Sequence, residues 1–194
     1  MITISTLVLI IRHYYYFGRL EKIEGLPELL MYFLVPLCIT CIIFKELPAK
    51  YGLKFGKWKH GLLAILISLF IMAIIIWIVA KRPDFQRYYR LPKRIDLTRF
   101  LIENALYMFA WEFLFRGYML FGLEEHLGVL TIFVQSVPFT ITHLGKPALE
   151  TISTLFGGYI LGFISYKTRS FLPCFIIHLG VYILMCIFAN PNLF

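Results

Sequence analysis

Residues 61–80 read GLLAILISLFIMAIIIWIVA, twenty positions without a charge. As an α-helix at ~1.5 Å per residue this stretch is about 30 Å long, the thickness of a bilayer's hydrocarbon core. The rest of the chain has the same character. Over 194 residues it is 60% hydrophobic, 18% aromatic and only 15% charged, with a mean hydropathy of +0.78. A soluble domain of this length cannot hide so much apolar surface, so lipid is the main solvent for it. The expected fold is all-α, a polytopic transmembrane helical bundle of about six spans.

The chain on either side of residues 61–80 fits that plan. Residues 45–60 form a basic loop carrying Tyr51-Gly52-Leu53 and Trp58, aromatics suited to the headgroup level. Before it, Gly25-Leu26-Pro27-Glu28 opens a span over residues 29–44, with a kink expected at Pro36. Residues 1–11 are apolar but short for a span, and they lack the basic start and small-residue cleavage site of a signal peptide. They are expected to form an interfacial or distorted first helix, or to be part of a longer one. After residue 80, residues 81–99 hold seven Lys/Arg against two Asp, broken by Pro83 and Pro92. A long helix is expected over residues 97–123, then a span over 130–144 interrupted at Pro138. A span over 151–166 and one from Leu172-Pro173 to Asn190-Pro191 complete the set. Thr154, Gly158 and Gly162 at four-residue spacing allow close backbone approach in lipid, so residues 151–166 are expected to be a central, buried helix. The whole chain, 1–194, reads as one membrane domain, with N-terminal spans and basic loops in 1–96 and a polar-motif core in 97–190.

The formal net charge of +8 raises the question of nucleic acid. The basic residues crowd into the loops between apolar runs, however, and there they read as anchors for anionic headgroups, so the partners expected are membrane lipids and not nucleic acid. Alternation of the spans puts residues 81–99 and the Lys146 turn on one side of the membrane, and residues 45–60 and Lys167 on the other. The Lys/Arg bias favours the 81–99 side in the cytoplasm. Cys38, Cys41, Cys174 and Cys186 all lie within apolar runs and read as small packing residues, not a disulfide framework.

Against this apolar background one heptapeptide stands out: Trp111-Glu112-Phe113-Leu114-Phe115-Arg116-Gly117. Glu112 and Arg116 lie four residues apart on one helix face, in the favourable order for pairing. An ionisable group at membrane depth costs at least ~2.5 kcal/mol on insertion scales and needs a partner. His143 and His178 are the ionisable groups well inside two further apolar runs. To keep such groups out of lipid, the three helices must converge. Glu150 stands near a helix N-terminus, where the dipole suits a carboxylate. Glu112, His143 and His178 together can activate water by general-base catalysis. They can also hold zinc with an open fourth position, or relay protons.

Glu112-x-x-Phe115-Arg116-Gly117, then Phe139-x-x-x-His143, then Pro173 with His178 five residues on, resemble the three motifs of the CAAX protease and bacteriocin-processing family, also called Abi. The resemblance covers residues 97–182. It implies a multi-pass membrane endopeptidase with a polar site inside the bilayer, acting on a peptide or prenylated-peptide substrate, and located in the cell membrane, here a bacterial inner membrane. By the same resemblance Glu112, His143 and His178 are the catalytic residues and the candidate ligands of any divalent metal such as zinc, which the hydrolytic reading does not require. Arg116, Phe139, Tyr182 and Glu150 are supporting candidates. Two positions depart from the family pattern. Trp111 stands where the first of two glutamates is usual, and Tyr182 stands where an Asn or Asp usually follows the last histidine by four. One residue is a rotation of about 100° on a helix, so Glu112 needs a local distortion to face the histidines. Counted along straight helices from the Leu123 side, His178 lies about 9 Å deep, Glu112 about 17 Å and His143 about 20 Å. Two further functions are compatible with the motifs: a catalytically silent relative that binds a membrane partner or confers immunity, and a small transporter or proton relay.

Overall fold

The computed structural model describes residues 1–191. Among them there is no strand, as expected where every buried N–H and C=O must be paired within its own segment. The helices are α1 (Ile2–Tyr14), α2 (Leu26–Ile43), α3 (Trp58–Val79), the short α4 (Pro83–Tyr88), α5 (Leu97–Glu112), α6 (Leu120–Leu127), α7 (Thr131–Ile141), α8 (Ala148–Thr168) and α9 (Leu172–Ala189). A π-helical segment, Phe113–Met119, joins α5 to α6. Five stretches are long and apolar enough to cross a membrane. One of them, Leu97–Ile141, turns back at Gly128 (φ +53°), so that α7 packs against α6 and the π segment. The protein is a polytopic helical bundle.

The axis of the bundle is the α5–π–α6 rod. Residues 110–121 are buried without exception. Around it stand α2, α7, α8 and α9, while α3 lies outermost, with Leu62, Leu66, Phe70 and Trp77 all more than half exposed or close to it. α1 is too short to span at full thickness. It docks on the rod and α2 through Ser5 and Val8, and Arg12 near its end pairs with Glu21 and Glu28. That agrees with a distorted first helix.

Polar contacts join the loops into two opposite faces. On one, Lys57 N–H donates to the Thr168 carbonyl (2.8 Å), Arg169 pairs with Glu124, and Lys50 pairs with Glu125. On the other, Asn190 bonds the backbone of Tyr89 and Leu91, and Tyr89 and Lys146 meet on Glu150. Single-cysteine variants at positions 57, 90, 146 and 167 are therefore expected to label in two pairs, 57 with 167 from one side and 90 with 146 from the other. Labelling of 57 and 90 from the same side contradicts this topology.

Pro36 lies within α2, flanked by π turns at Leu29–Leu34 and Ile39–Ile43 whose wider hydrogen bonding accommodates the missing N–H. Two expectations need correction. Pro138 does not interrupt its span. α7 runs through it to Ile141. Finally, α8 is not a central buried helix. Its Thr154/Gly158/Gly162 face is buried, but Ile152, Phe156, Ile160 and Phe163 on the opposite face are each more than half exposed. The small residues serve one interface, with α7, where a Cβ on Gly158 would stand 2.9 Å from Ser136 Oγ and one on Gly162 2.6 Å from Gln135 Nε2. The bulky face is left for lipid.

Candidate active site

The π segment begins immediately after Glu112. Bonding from i to i+5 takes in an extra residue per turn, so side chains following Glu112 are rotated relative to an α-helix and the rod climbs less per residue. Glu112 is itself the last α-helical residue, so the π turns reset the register of Arg116 and the residues after it relative to Glu112. Their smaller climb also reduces the depth difference expected between Glu112 and His178 on straight helices. The widened turns are held from outside: Ser165 Oγ donates to the Arg116 carbonyl (2.9 Å) and Thr131 Oγ1 to the Leu120 carbonyl (2.9 Å).

With the rod set this way, His178 Nδ1 lies 2.6 Å from Glu112 Oε1. Facing a carboxylate, Nδ1 is the donor, and the ring then presents Nε2 on its other edge. Arg116 Nη1 lies 3.3 Å from the same oxygen, and both residues of that pair are completely buried. A carboxylate at this depth needs such a countercharge. His143 sits in the turn after α7, its Nδ1 2.8 Å from the Phe139 carbonyl. The carbonyl only accepts, so His143 too carries its proton on Nδ1 and leaves Nε2 free. The two imidazoles lie nearly parallel, centroids 6.2 Å apart. Phe139 packs beneath both, at 4.7 and 5.8 Å, and takes the Arg116 guanidinium 3.7 Å above its ring.

Glu112, Arg116, His143, His178 and Phe139 are thus brought together. Glu150 and Tyr182 are not part of this group. Glu150 accepts from Tyr89 Oη (2.6 Å) and Lys146 (2.8 Å). Tyr182 stacks on Phe100 and stands edge-on to Tyr89 one turn beyond His178. Trp111 is nearer than its substitution for a glutamate suggests. It stacks on Tyr107, meets Tyr32, and stands edge-on to His143 at 6.2 Å. Four buried atoms of this cluster have no hydrogen-bond partner among the described residues: Glu112 Oε2, Arg116 Nε and Nη2, and Trp111 Nε1.

Next to the cluster, towards the 81–99 loop, is a cavity of about 570 Å³. Its lining includes Tyr107 and Met108, Tyr182, and Lys146, with Glu103 and Arg90 among its charged groups. Met108 is one turn from Glu112 and Tyr182 one turn from His178, so their i,i±4 spacing from the motif was a readable signal. The convergence of their helices into a cavity was not.

A metal held jointly by Glu112, His143 and His178 does not fit this arrangement. Nδ1 and Nε2 look out from opposite edges of an imidazole, so a carboxylate bonded to His178 Nδ1 cannot also share an ion with its Nε2. Among the described residues no three His, Cys, Asp or Glu side chains group closely enough to hold an ion.

Comparison with curated proteins and with solved structures gave no match. A family model, type II CAAX prenyl endopeptidase Rce1-like, matches residues 93–184, the segment that contains the entire cluster. Residues 93–184 are thus similar to the Rce1-like family of type II CAAX prenyl endopeptidases.

Proposed function

We propose that the protein is a peptide-bond hydrolase working inside a membrane, with Glu112 and His178 acting as a coupled pair. The observation that carries this reading is the 2.6 Å contact between His178 Nδ1 and a carboxylate that still has a free second oxygen. A water molecule bound between the two Nε2 atoms attacks the scissile carbonyl carbon. Its proton passes to His178 Nε2, and the carboxylate on Nδ1 stabilises the imidazolium that forms. The carbonyl oxygen becomes an oxyanion, for which Trp111 Nε1–H and the free N–H groups of Arg116 are the available donors. When the C–N bond breaks, the proton on His178 goes to the departing nitrogen. His143 Nε2 orients the water. The step needs only groups supplied by the chain.

The substrate class is a peptide or prenylated peptide, entering from the cavity on the 81–99 side, and the protein is assigned to a bacterial inner membrane. A second reading, a silent relative that binds a membrane partner, is favoured by Trp111 in the first motif position and by the complete burial of Glu112. Purified protein in detergent, offered a library of prenylated and plain C-terminal peptides, is expected to cleave a subset. The rate is expected to be unchanged by a chelator and strongly reduced in His143→Asn and in His178→Asn. Chelator-sensitive cleavage overturns the metal-free step. Folded protein that cleaves nothing supports the silent reading.

A further inference from the structure

Glu112 is 0% exposed, His143 is 5% exposed and the His178 side chain 14%, and none of the three lines the 570 Å³ cavity beside them. Hydrolysis requires water and a peptide carbonyl to reach Nε2 of His178. What lies one helical turn from the pair, on the cavity side, is Met108 from α5 and Tyr182 from α9. Met108 is 5% exposed and belongs to the rod's buried face. Tyr182 packs its ring between Phe100 and Tyr89. Both are cavity lining on one side and, by their spacing of four residues, next to Glu112 and His178 on the other. A thioether with three rotatable bonds and a tyrosine at a cavity wall are side chains that can move without unwinding a helix.

We propose that Met108 and Tyr182 form a gate between the cavity and the Glu112–His178 pair, and that the bulk of Tyr182 sets what passes. The inference rests on the hydrolase reading for its purpose, but not for its test. In this conformation Met108 and Tyr182 line the cavity and the Glu112–His178 pair does not. The ring of Tyr182 acts here by its volume, whereas an Asn or Asp at that position, usual in the family pattern, is small and polar. The hydroxyl of Tyr182 is not a catalytic group in this scheme, since Tyr182 makes no hydrogen bond to Glu112, His143 or His178 among the described residues.

The test is the rate at which diethyl pyrocarbonate modifies His178 in detergent-purified protein, measured by mass spectrometry. His126, exposed in the last turn of α6, is the internal reference. Tyr182→Ala is expected to raise the His178 rate about tenfold, as for a site open in only about a tenth of parent molecules. Met108→Ala is expected to act in the same direction. Tyr182→Phe keeps the ring and should match the parent, and His126 should react equally in all four proteins. An unchanged His178 rate in both alanine variants overturns the gate, as does a Tyr182→Phe rate equal to that of Tyr182→Ala. If the protein also cleaves peptides, Tyr182→Ala should accept bulkier substrates while Tyr182→Phe keeps the parent's preference. A modification pattern as predicted with no cleavage by any form retains the gate and removes the hydrolase reading. Cleavage with no change in modification does the reverse.

Discussion

Glu112→Gln is expected to lose cleavage activity by about 10²–10⁴-fold, and to lose stability as well. The amide can still accept from His178, but it no longer neutralises Arg116, which is completely buried and pairs with no other carboxylate among the described residues. Removing one member of a buried ion pair costs about 3–5 kcal/mol, chiefly because the remaining charge is stranded. Replacing both members by groups of similar shape is often close to neutral. The double variant Glu112→Gln/Arg116→Met should therefore recover most of the parent's thermal stability in detergent and none of its activity. That separation matters because a single variant that simply unfolds says nothing about chemistry. If Glu112→Gln alone is as stable as the parent, the guanidinium is being compensated elsewhere and the pair is less isolated than its geometry implies.

Gly158→Leu is the second large effect. A Cβ at residue 158 would stand 2.9 Å from Ser136 Oγ, 3.0 Å from Ser136 Cβ and 3.3 Å from the Phe139 ring, and the Gly158 carbonyl accepts from Gln135 Nε2 at 3.0 Å. Ser136 is itself fixed by bonds to the Ile132 carbonyl and to Gln135, so it has no room to yield. The α7–α8 interface must separate, at a cost of about 3 kcal/mol, the upper end for overpacking. Phe139 supports both histidines and Arg116, so the displacement reaches the cluster too. Gly157→Leu is the control, because a Cβ there meets nothing within 4 Å, and it should shift stability by no more than about 0.5 kcal/mol. Equal melting temperatures for the two leucine variants would place the Gly158 face in lipid.

Much of this arrangement could be read from residue types and spacings. The uncharged run at 61–80 identifies lipid as the solvent, and the cost of intramembrane charge requires the helices bearing Glu112, His143 and His178 to converge. The four-residue spacing of Gly158 and Gly162 correctly indicates a close helix contact. It does not reveal how far round the helix that contact extends, and Ile152, Phe156 and Ile160 on the other face are the better guide to lipid. The π segment over Phe113–Met119 was beyond reach in detail. A change from i→i+4 to i→i+5 bonding leaves no mark in side-chain pattern. Pro138 misled because a helix packed in a membrane bundle can run on through a proline, as α7 does to Ile141. The cavity and its partition at Met108 and Tyr182 depend on how three helices are tilted against one another, which local spacing does not encode.

The central claim is that Glu112 and His178 form a hydrolytic pair within the membrane. Its most direct test is the initial rate of peptide cleavage by parent and Glu112→Gln/Arg116→Met proteins, both reconstituted in liposomes and matched for thermal stability. The parent is expected to generate product steadily and the double variant none above background. Equal product from the two, or none from a fully folded parent, contradicts the claim.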